Sequence, residues 1–118
     1  MLLFVLDLSP GPALRQMTYT LGREVLPGLD RNVACAVVTT EGYLVAESEL
    51  MNPENKERMA AAVMGLCAQA HGSVRLGMEA AWQVVRRRDG LPVDIFLLTD
   101  ERPRRPRWFR GARVVPAC

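Results

Sequence analysis

Few side chains in this chain could take part in catalysis. His71 is the single histidine, and it precedes Gly72 where a helical pattern ends. A cation at that position interacts favourably with the helix dipole, which favours a capping or exposed histidine over a general base. Covalent catalysis needs a nucleophile paired with a base, and the sequence offers no such pair. We therefore expect a protein that is not an enzyme.

The three cysteines do not form a metal or disulfide motif. Cys35 and Cys67 lie within apolar segments and are expected to be buried small hydrophobic residues, whereas Cys118 is terminal and expected to be exposed. An odd cysteine count without CxxC spacing, and without a secretory signal, favours free thiols in a reducing, cytoplasmic setting. One histidine with scattered thiols is a poor ligand set, and the glycines match neither GxxxxGK[ST] nor GxGxxG. We expect no metal and no cofactor.

Arginines and aromatic side chains are concentrated towards the C-terminal end. Residues 1–60 carry five cationic and eight anionic side chains, and residues 61–118 carry ten and five. Arginine beside an aromatic ring can hold phosphates or stack on bases, but the acidic first half argues against nucleic acid as a partner. The favoured interpretation is a solvated tail with Trp108 packed on the core, ahead of a basic patch for an acidic protein surface. The candidate partner-docking residues are Arg86, Arg87, Arg88, Arg104, Arg105 and Trp108.

Length and composition indicate one domain. The chain has 118 residues, of which 49% are hydrophobic and 24% charged, with a net charge of +2. A chain of this size can bury a core without disulfides or metal. No apolar run is long enough to span a membrane. We predict a single domain over 1–118, with an extra strand and turn at 1–12 and an Arg/Pro-rich segment at 100–118.

The first half of the chain predicts one helix and three strands, of which the last two form a hairpin. Met1–Leu8 is an apolar run of strand length. A helical stripe follows, and Pro27-Gly28 ends it. Val33–Thr39 is apolar on both faces, which is typical of a central strand. Glu41-Gly42 then predicts a tight turn into the strand Tyr43–Ser48.

The second half predicts a long helix followed by a second hairpin. The helix covers Glu54–Ala70, with Asn52 or Glu54 as its cap. Ala80–Arg88 is interpreted as a strand, and Asp89-Gly90 as a hairpin turn. The remaining elements are a strand Val93–Thr99, a loop Asp100–Arg107 and a last strand Ala112–Pro116. We predict an α+β fold: a mainly antiparallel sheet of about five strands with helices packed against it, as a roadblock- or profilin-like layer.

The long helix predicts assembly. From Met59 to Ala70 only Gln69 is neither apolar nor glycine, so the helix has no polar face to present to water. A partner subunit is the simplest second cover. The predicted dimer interface consists of Met59, Ala62, Val63, Leu66, Ala70, Trp82 and Val84. A charge at Ala62, Val63 or Leu66 is expected to break the dimer or unfold the chain.

From Ala13 to Thr99 the order of elements resembles the roadblock (dynein light chain) family. The features are a helix ending in LPGL at 26–29, the strand ACAVVTT, the hairpin EGYLVAES, the Ala-rich helix and a second hairpin around RRRDG. The resemblance implies a homodimer in which the long helices of the two subunits pack together. The third strand of each subunit would pair with that of the other and extend the sheet. It also implies a non-catalytic regulator or scaffold for a small Ras-like GTPase or a related signalling protein.

The alternative function is a small-molecule sensor of profilin- or PAS-like form. A sensor needs a pocket with a few convergent polar groups, whereas the predicted core consists of Val, Leu, Ala and Met. We therefore favour the interaction module.

Met1–Leu8 is expected to add a strand to the edge of the sheet, or to the partner's sheet, with Asp7 near water at the strand's end.

Overall fold

The computed structural model describes residues 1–11, 13–69, 72–88 and 91–99, together with the backbone of 112–116. Helices and strands mix along this chain, and α1 continues into a π-helical turn (Leu21–Val25) and a 3₁₀ turn (Leu26–Gly28). The elements in chain order are β1 (Leu2–Leu6), α1 (Ala13–Thr20), β2 (Cys35–Thr39), β3 (Leu44–Ser48), α2 (Pro53–Met64), α3 (Val74–Arg87), β4 (Asp94–Thr99) and β5 (Ala112–Pro116). No helix in the described part of the chain has the length and hydrophobicity needed to cross a bilayer.

The strands form one mixed sheet in the order β3-β2-β1-β4-β5. β1 runs parallel to both β2 and β4, and β4 runs parallel to β5. Only β3 is antiparallel, joined to β2 by a turn in which Gly42 has a φ of 88°. Helices pack on the sheet, as expected for a compact α+β domain, but the prediction of a mainly antiparallel sheet is wrong. β1 and β2 are near-continuous apolar runs, which is typical of parallel strands covered by helices on both faces.

β1 lies at the centre of the sheet and not at its edge, so the edge-strand prediction for Met1–Leu8 is wrong. Its backbone is in register with β2 on one side and with β4 on the other. Leu3, Val5 and Leu6 are fully buried, and Phe4 stacks on Phe96 with ring centroids 5.5 Å apart. β1 contributes to both halves of the core, which agrees with its being apolar on both faces.

The predicted strand Ala80–Arg88 is wrong, because these residues continue α3. Gly77, Met78, Ala81 and Val84 are buried at helical spacing against the sheet. Ser73 caps the helix, and its side chain accepts a hydrogen bond from the Leu76 amide. Arginines in the last turn stabilise the negative end of the helix dipole. The predicted turn at Asp89-Gly90 lies outside the described residues.

The hydrophobic core has two halves, one on each face of the sheet. The first lies under α1, the π-helical turn and α2, and includes Leu6, Met17, Leu21 and Met59. The second lies under α3 and is formed by alternate residues of the same strands together with helix residues. These residues include Leu3, Val5, Val38, Met78, Ala81 and Leu97. The sheet is therefore the middle layer of three.

α2 is shorter than predicted and is not covered all round. It begins at Pro53, after Asn52, whose side chain accepts a hydrogen bond from the Asn55 amide at 2.9 Å. It ends at Met64, before Gly65. Met59 and Val63 are its buried residues, so a single apolar stripe faces the sheet.

Candidate functional site at the carboxyl edge of the sheet

The strand order creates a topological switch point beside β1. The chain moves from β1 outwards to β2 and β3, and then returns to the other side of β1 with β4. Connections therefore leave the carboxyl ends of β1 and β4 in opposite directions. In open sheets with parallel strands, ligands bind in the crevice at such a point. The residues that follow β1, β2 and β4 are therefore the candidates for a ligand site.

Asp7 lies directly after β1 and is only 4% exposed. Its Oδ1 accepts hydrogen bonds from the Ser9 amide at 2.9 Å and from Ser9 Oγ at 2.6 Å. Its Oδ2 accepts one from Thr99 Oγ1 at 2.6 Å, so the carboxylate joins the ends of β1 and β4. Short hydrogen bonds from three donors stabilise its negative charge. The prediction that Asp7 lies near water is wrong.

Thr40 extends this polar cluster to the end of β2. Its Oγ1 accepts a hydrogen bond from the Leu8 amide at 3.0 Å, and its carbonyl oxygen accepts one from the Ser73 amide at 2.8 Å. A Cβ added to Gly72 would lie 2.8 Å from that carbonyl oxygen, so only glycine lets the chain entering α3 approach β2 so closely. Four segments of the chain therefore meet at this edge. We call Asp7, Ser9, Thr40, Ser73 and Thr99 the carboxyl-edge cluster.

The charge of Asp7 has no cationic partner among the ion pairs of the described residues, which join arginines to Glu47, Glu49 and Glu79. A buried carboxylate without a countercharge is costly unless other groups compensate for it. Ser9 Oγ donates its proton to Asp7 and keeps lone pairs for a further bond, and Ser9 is only half-buried. The cluster therefore holds a buried carboxylate at this edge, beside a half-buried hydroxyl oxygen that can still accept a bond.

The donor atoms of this cluster are those of a hard cation. Mg²⁺ binds oxygen ligands, commonly with one or two carboxylates, and keeps several waters. Among the described residues no three His, Cys, Asp or Glu side chains come together as a metal site. A soft metal held by thiolates or imidazoles therefore does not fit the cluster, whereas one carboxylate with hydroxyl oxygens fits Mg²⁺ or Mn²⁺.

The residues predicted for a dimer interface do not form one surface. Three of them are buried in the core of this chain: Met59, Val63 and Val84. Ala62 in α2 and Leu66 just after it are half-buried, Trp82 is 47% exposed on α3, and Ala70 lies outside the described residues. Packing within one subunit thus accounts for the apolar character of the three buried positions.

Among the arginines predicted for partner docking, two form ion pairs with glutamates in or next to β3 and one packs on an aromatic ring. Arg88 is bound to Glu47 at 2.7 Å and to Glu49 at 3.1 Å, which ties the end of α3 to β3. Arg87 also contacts Glu47, while the guanidinium of Arg86 lies over the Trp82 ring at 5.8 Å. Arg104, Arg105 and Trp108 lie outside the described residues.

The two described cysteines differ in environment. Cys35 is fully buried in β2, as predicted, and burial raises the pKa of its thiol to about 12, with the positive N-terminus opposing this to a smaller extent. Such a thiol remains protonated and inert at neutral pH. The prediction that Cys67 is buried is wrong, since α2 ends three residues before it and the thiol is exposed.

The sequence reasoning missed the carboxyl-edge cluster, although a signal for it exists. Asp7, Thr40 and Thr99 each stand at or just after the end of an apolar strand run. Polar side chains at the carboxyl ends of parallel strands converge at one edge. An antiparallel sheet, as predicted from the sequence, would instead place these strand ends at different edges.

A scan against models of protein families and a search of the curated proteins both find nothing that matches this chain. The roadblock resemblance therefore stays a prediction. The strand Ala80–Arg88, on which its sheet-to-sheet contact depends, is part of a helix.

Proposed function

We propose that this protein is a non-catalytic binding module whose ligand site is the carboxyl-edge cluster, completed by a hard divalent cation. The observation that carries the proposal is the buried carboxylate of Asp7, which has three hydroxyl or amide donors and no cationic partner among the described ion pairs. A cation held there keeps open positions for an oxygen atom of a ligand. The rest of the cluster consists of hydroxyl groups, which orient ligands and supply no base.

A divalent cation should stabilise the folded chain through Asp7. Ligand binding to the native state alone raises the free energy of unfolding by about 2.7 kcal/mol when the ligand is at 100 times its Kd. Thermal unfolding of the full chain in EDTA and in Mg²⁺ or Mn²⁺ measures this gain. We expect the midpoint to rise with cation concentration, and Asp7→Asn to abolish the rise because the amide has no charge.

The matched control is Asp94→Asn. Asp94 is exposed at the amino end of β4, opposite the cluster, so its loss should leave the cation-dependent rise unchanged. The comparison uses the rise and not the midpoint itself, because Asp7→Asn also alters hydrogen bonds in the cation-free state. Equal rises in the wild type and in Asp7→Asn would contradict the proposal.

A small-molecule sensor is the second candidate function. The specific observation that favours it is a cleft of about 510 Å³ beside the cluster, which shares Leu8 and Thr39 with this edge of the sheet. Its volume falls within the usual range for ligand pockets. The expectation that the core lacks buried polar groups is wrong, since Asp7, Thr39, Thr40 and Thr99 are all buried at this edge.

We also propose that the chain forms a homodimer through the outer face of α2. Its proposed protein partner is a small Ras-like GTPase or a related signalling protein. Ala61 and Met64 are exposed on that face, and they line a groove of about 630 Å³ against the π-helical turn. Light scattering should give the full chain twice its mass of 13.1 kDa. Ala61→Arg should return it to 13.1 kDa without loss of fold, and a wild-type monomer would contradict the dimer.

A further inference from the structure

A second polar feature lies beside the carboxyl-edge cluster, in the turn between β2 and β3. The Glu41 amide donates to Thr39 Oγ1 at 3.3 Å, and the Gly42 amide donates to the Thr39 carbonyl oxygen at 2.9 Å. Gly42 adopts a φ of 88°, which a residue with a side chain rarely adopts. This turn therefore holds the Glu41 backbone in one place, with its side chain along the wall of the cleft.

Glu41 carries an unpaired buried oxygen atom. Its Oε1 is shielded from solvent and finds no hydrogen-bond partner among the described residues. Leaving a buried acceptor unpaired is unfavourable, and more so when the group is charged. A ligand in the cleft that donates hydrogen bonds to this carboxylate, and rotates it so that Oε1 faces the cleft, would recover that cost.

The rest of the cleft defines the shape of that ligand. Leu8, Val45 and Leu66 supply apolar walls, and Gln69 supplies a polar side chain. The Tyr43 ring is 69% exposed and stands at the rim, where an aromatic face attracts a cation. An apolar channel with a carboxylate in its wall suits a cationic head on an aliphatic stem, because such a group buries its stem and pairs its charge.

We propose that this cleft binds an amphipathic organic cation, with the guanidinium or ammonium head paired to Glu41 and the aliphatic stem against Leu8, Val45 and Leu66. This chemistry occurs in arginine and lysine side chains of a protein partner and in free guanidines and amines. Guanidinium is the better match, because its planar donors bind a carboxylate at two points. The proposal is independent of the cation site at Asp7.

The test uses two blocked amino acids of nearly equal shape. N-acetyl-arginine amide carries the cation, and N-acetyl-citrulline amide replaces the guanidinium by a neutral urea group. Backbone amide spectra of the full chain are titrated with each probe in EDTA, so that no divalent cation takes part. We expect the arginine probe to shift the Tyr43, Leu66 and Gln69 amides, and to bind at least about tenfold more tightly than the citrulline probe.

Glu41→Gln should reduce affinity for the arginine probe by about tenfold or more and leave the citrulline probe unchanged. The variant should fold at least as stably as the wild type, because it replaces a charged carboxylate, whose buried Oε1 has no partner among the described residues, by a neutral amide. Glu24→Gln is the control, since it removes the same charge from an exposed position outside the cleft. Binding should also weaken as sodium chloride is raised, because salt screens the ion pair.

n-Butylguanidine, a single cation like the arginine probe but without a peptide backbone, separates the two sources of ligand. Binding as tight as that of the arginine probe assigns the site to small cations, and clearly weaker binding assigns it to an arginine within a polypeptide. Either result supports the proposal. Equal affinity for the arginine and citrulline probes, or full affinity in Glu41→Gln, would overturn it. A failure of Mg²⁺ to bind at Asp7 would leave these results unaffected.

Discussion

A chain that starts at Gly11 is expected not to fold. Its missing residues include β1, which is in register with β2 and β4 and contributes to both halves of the core. Burial of Leu3, Phe4, Val5 and Leu6 stabilises the native state by about 6–12 kcal/mol before entropy is counted. Since small domains have a total stability of about 5–15 kcal/mol, the loss should remove the folded state. Circular dichroism should show no cooperative thermal transition.

The control for this truncation is a chain that ends at residue 111. It lacks β5, which pairs with β4 alone at the edge of the sheet, so it should keep a cooperative transition at a lower midpoint. A chain starting at Gly11 that melted within a few degrees of the full chain would contradict the central position of β1.

Gly77→Ala is expected to destabilise the protein by about 1–3 kcal/mol. Helix propensity alone predicts the opposite sign, because alanine is favoured over glycine in a helix interior by about 1 kcal/mol. A Cβ at this position would lie 2.7 Å from Val5 Cγ1 and 3.3 Å from Thr40 Cα. Val5 is in the central strand and Thr40 belongs to the carboxyl-edge cluster, so neither can move freely. Urea unfolding measures the change.

Gly28→Ala is the matched control, because an added Cβ there meets nothing within 4 Å. It should be neutral or stabilise the chain by up to about 1 kcal/mol through the unfolded state. If Gly77→Ala instead raised stability as Gly28→Ala does, the close approach of α3 to β1 and β2 would be contradicted.

The local elements could largely be predicted from the sequence, and the way they combine could not. The composition and length of runs such as Leu2–Leu6 and Asp94–Thr99 predict strands, and Gly42 predicts the turn between β2 and β3. Whether two strands run parallel depends on the connection between them. Trp82 and the Val84-Val85 pair favour a strand by propensity, but tertiary packing overrides that preference and these residues are helical. The spacing of Met78, Ala81 and Val84 was the stronger signal.

This one misassignment explains why the candidate site was not predicted. A strand at 80–88 makes a hairpin with β4, and a hairpin places the ends of its strands at opposite edges. A helix there makes β4 parallel to β1, so that Asp7 and Thr99 meet across the switch point. The contact joins residues 92 positions apart, and no local pattern reports a contact of that range. Glu41 is similar, because its unpaired oxygen depends on the packing around it.

The central claim is that the carboxyl-edge cluster holds a divalent cation, and paramagnetic broadening of backbone amide signals by Mn²⁺ tests it most directly. Leu2 at the opposite edge of the sheet lies five residues from Asp7, about 17 Å along the strand, so a bound Mn²⁺ at Asp7 should affect the two edges very differently. We predict that Leu8, Ser9 and Thr40 lose intensity first, that Leu2, Cys35 and Asp94 at the opposite edge keep theirs, and that Asp7→Asn abolishes the difference. Broadening centred on the exposed carboxylates of α2, or unchanged in Asp7→Asn, would contradict the claim.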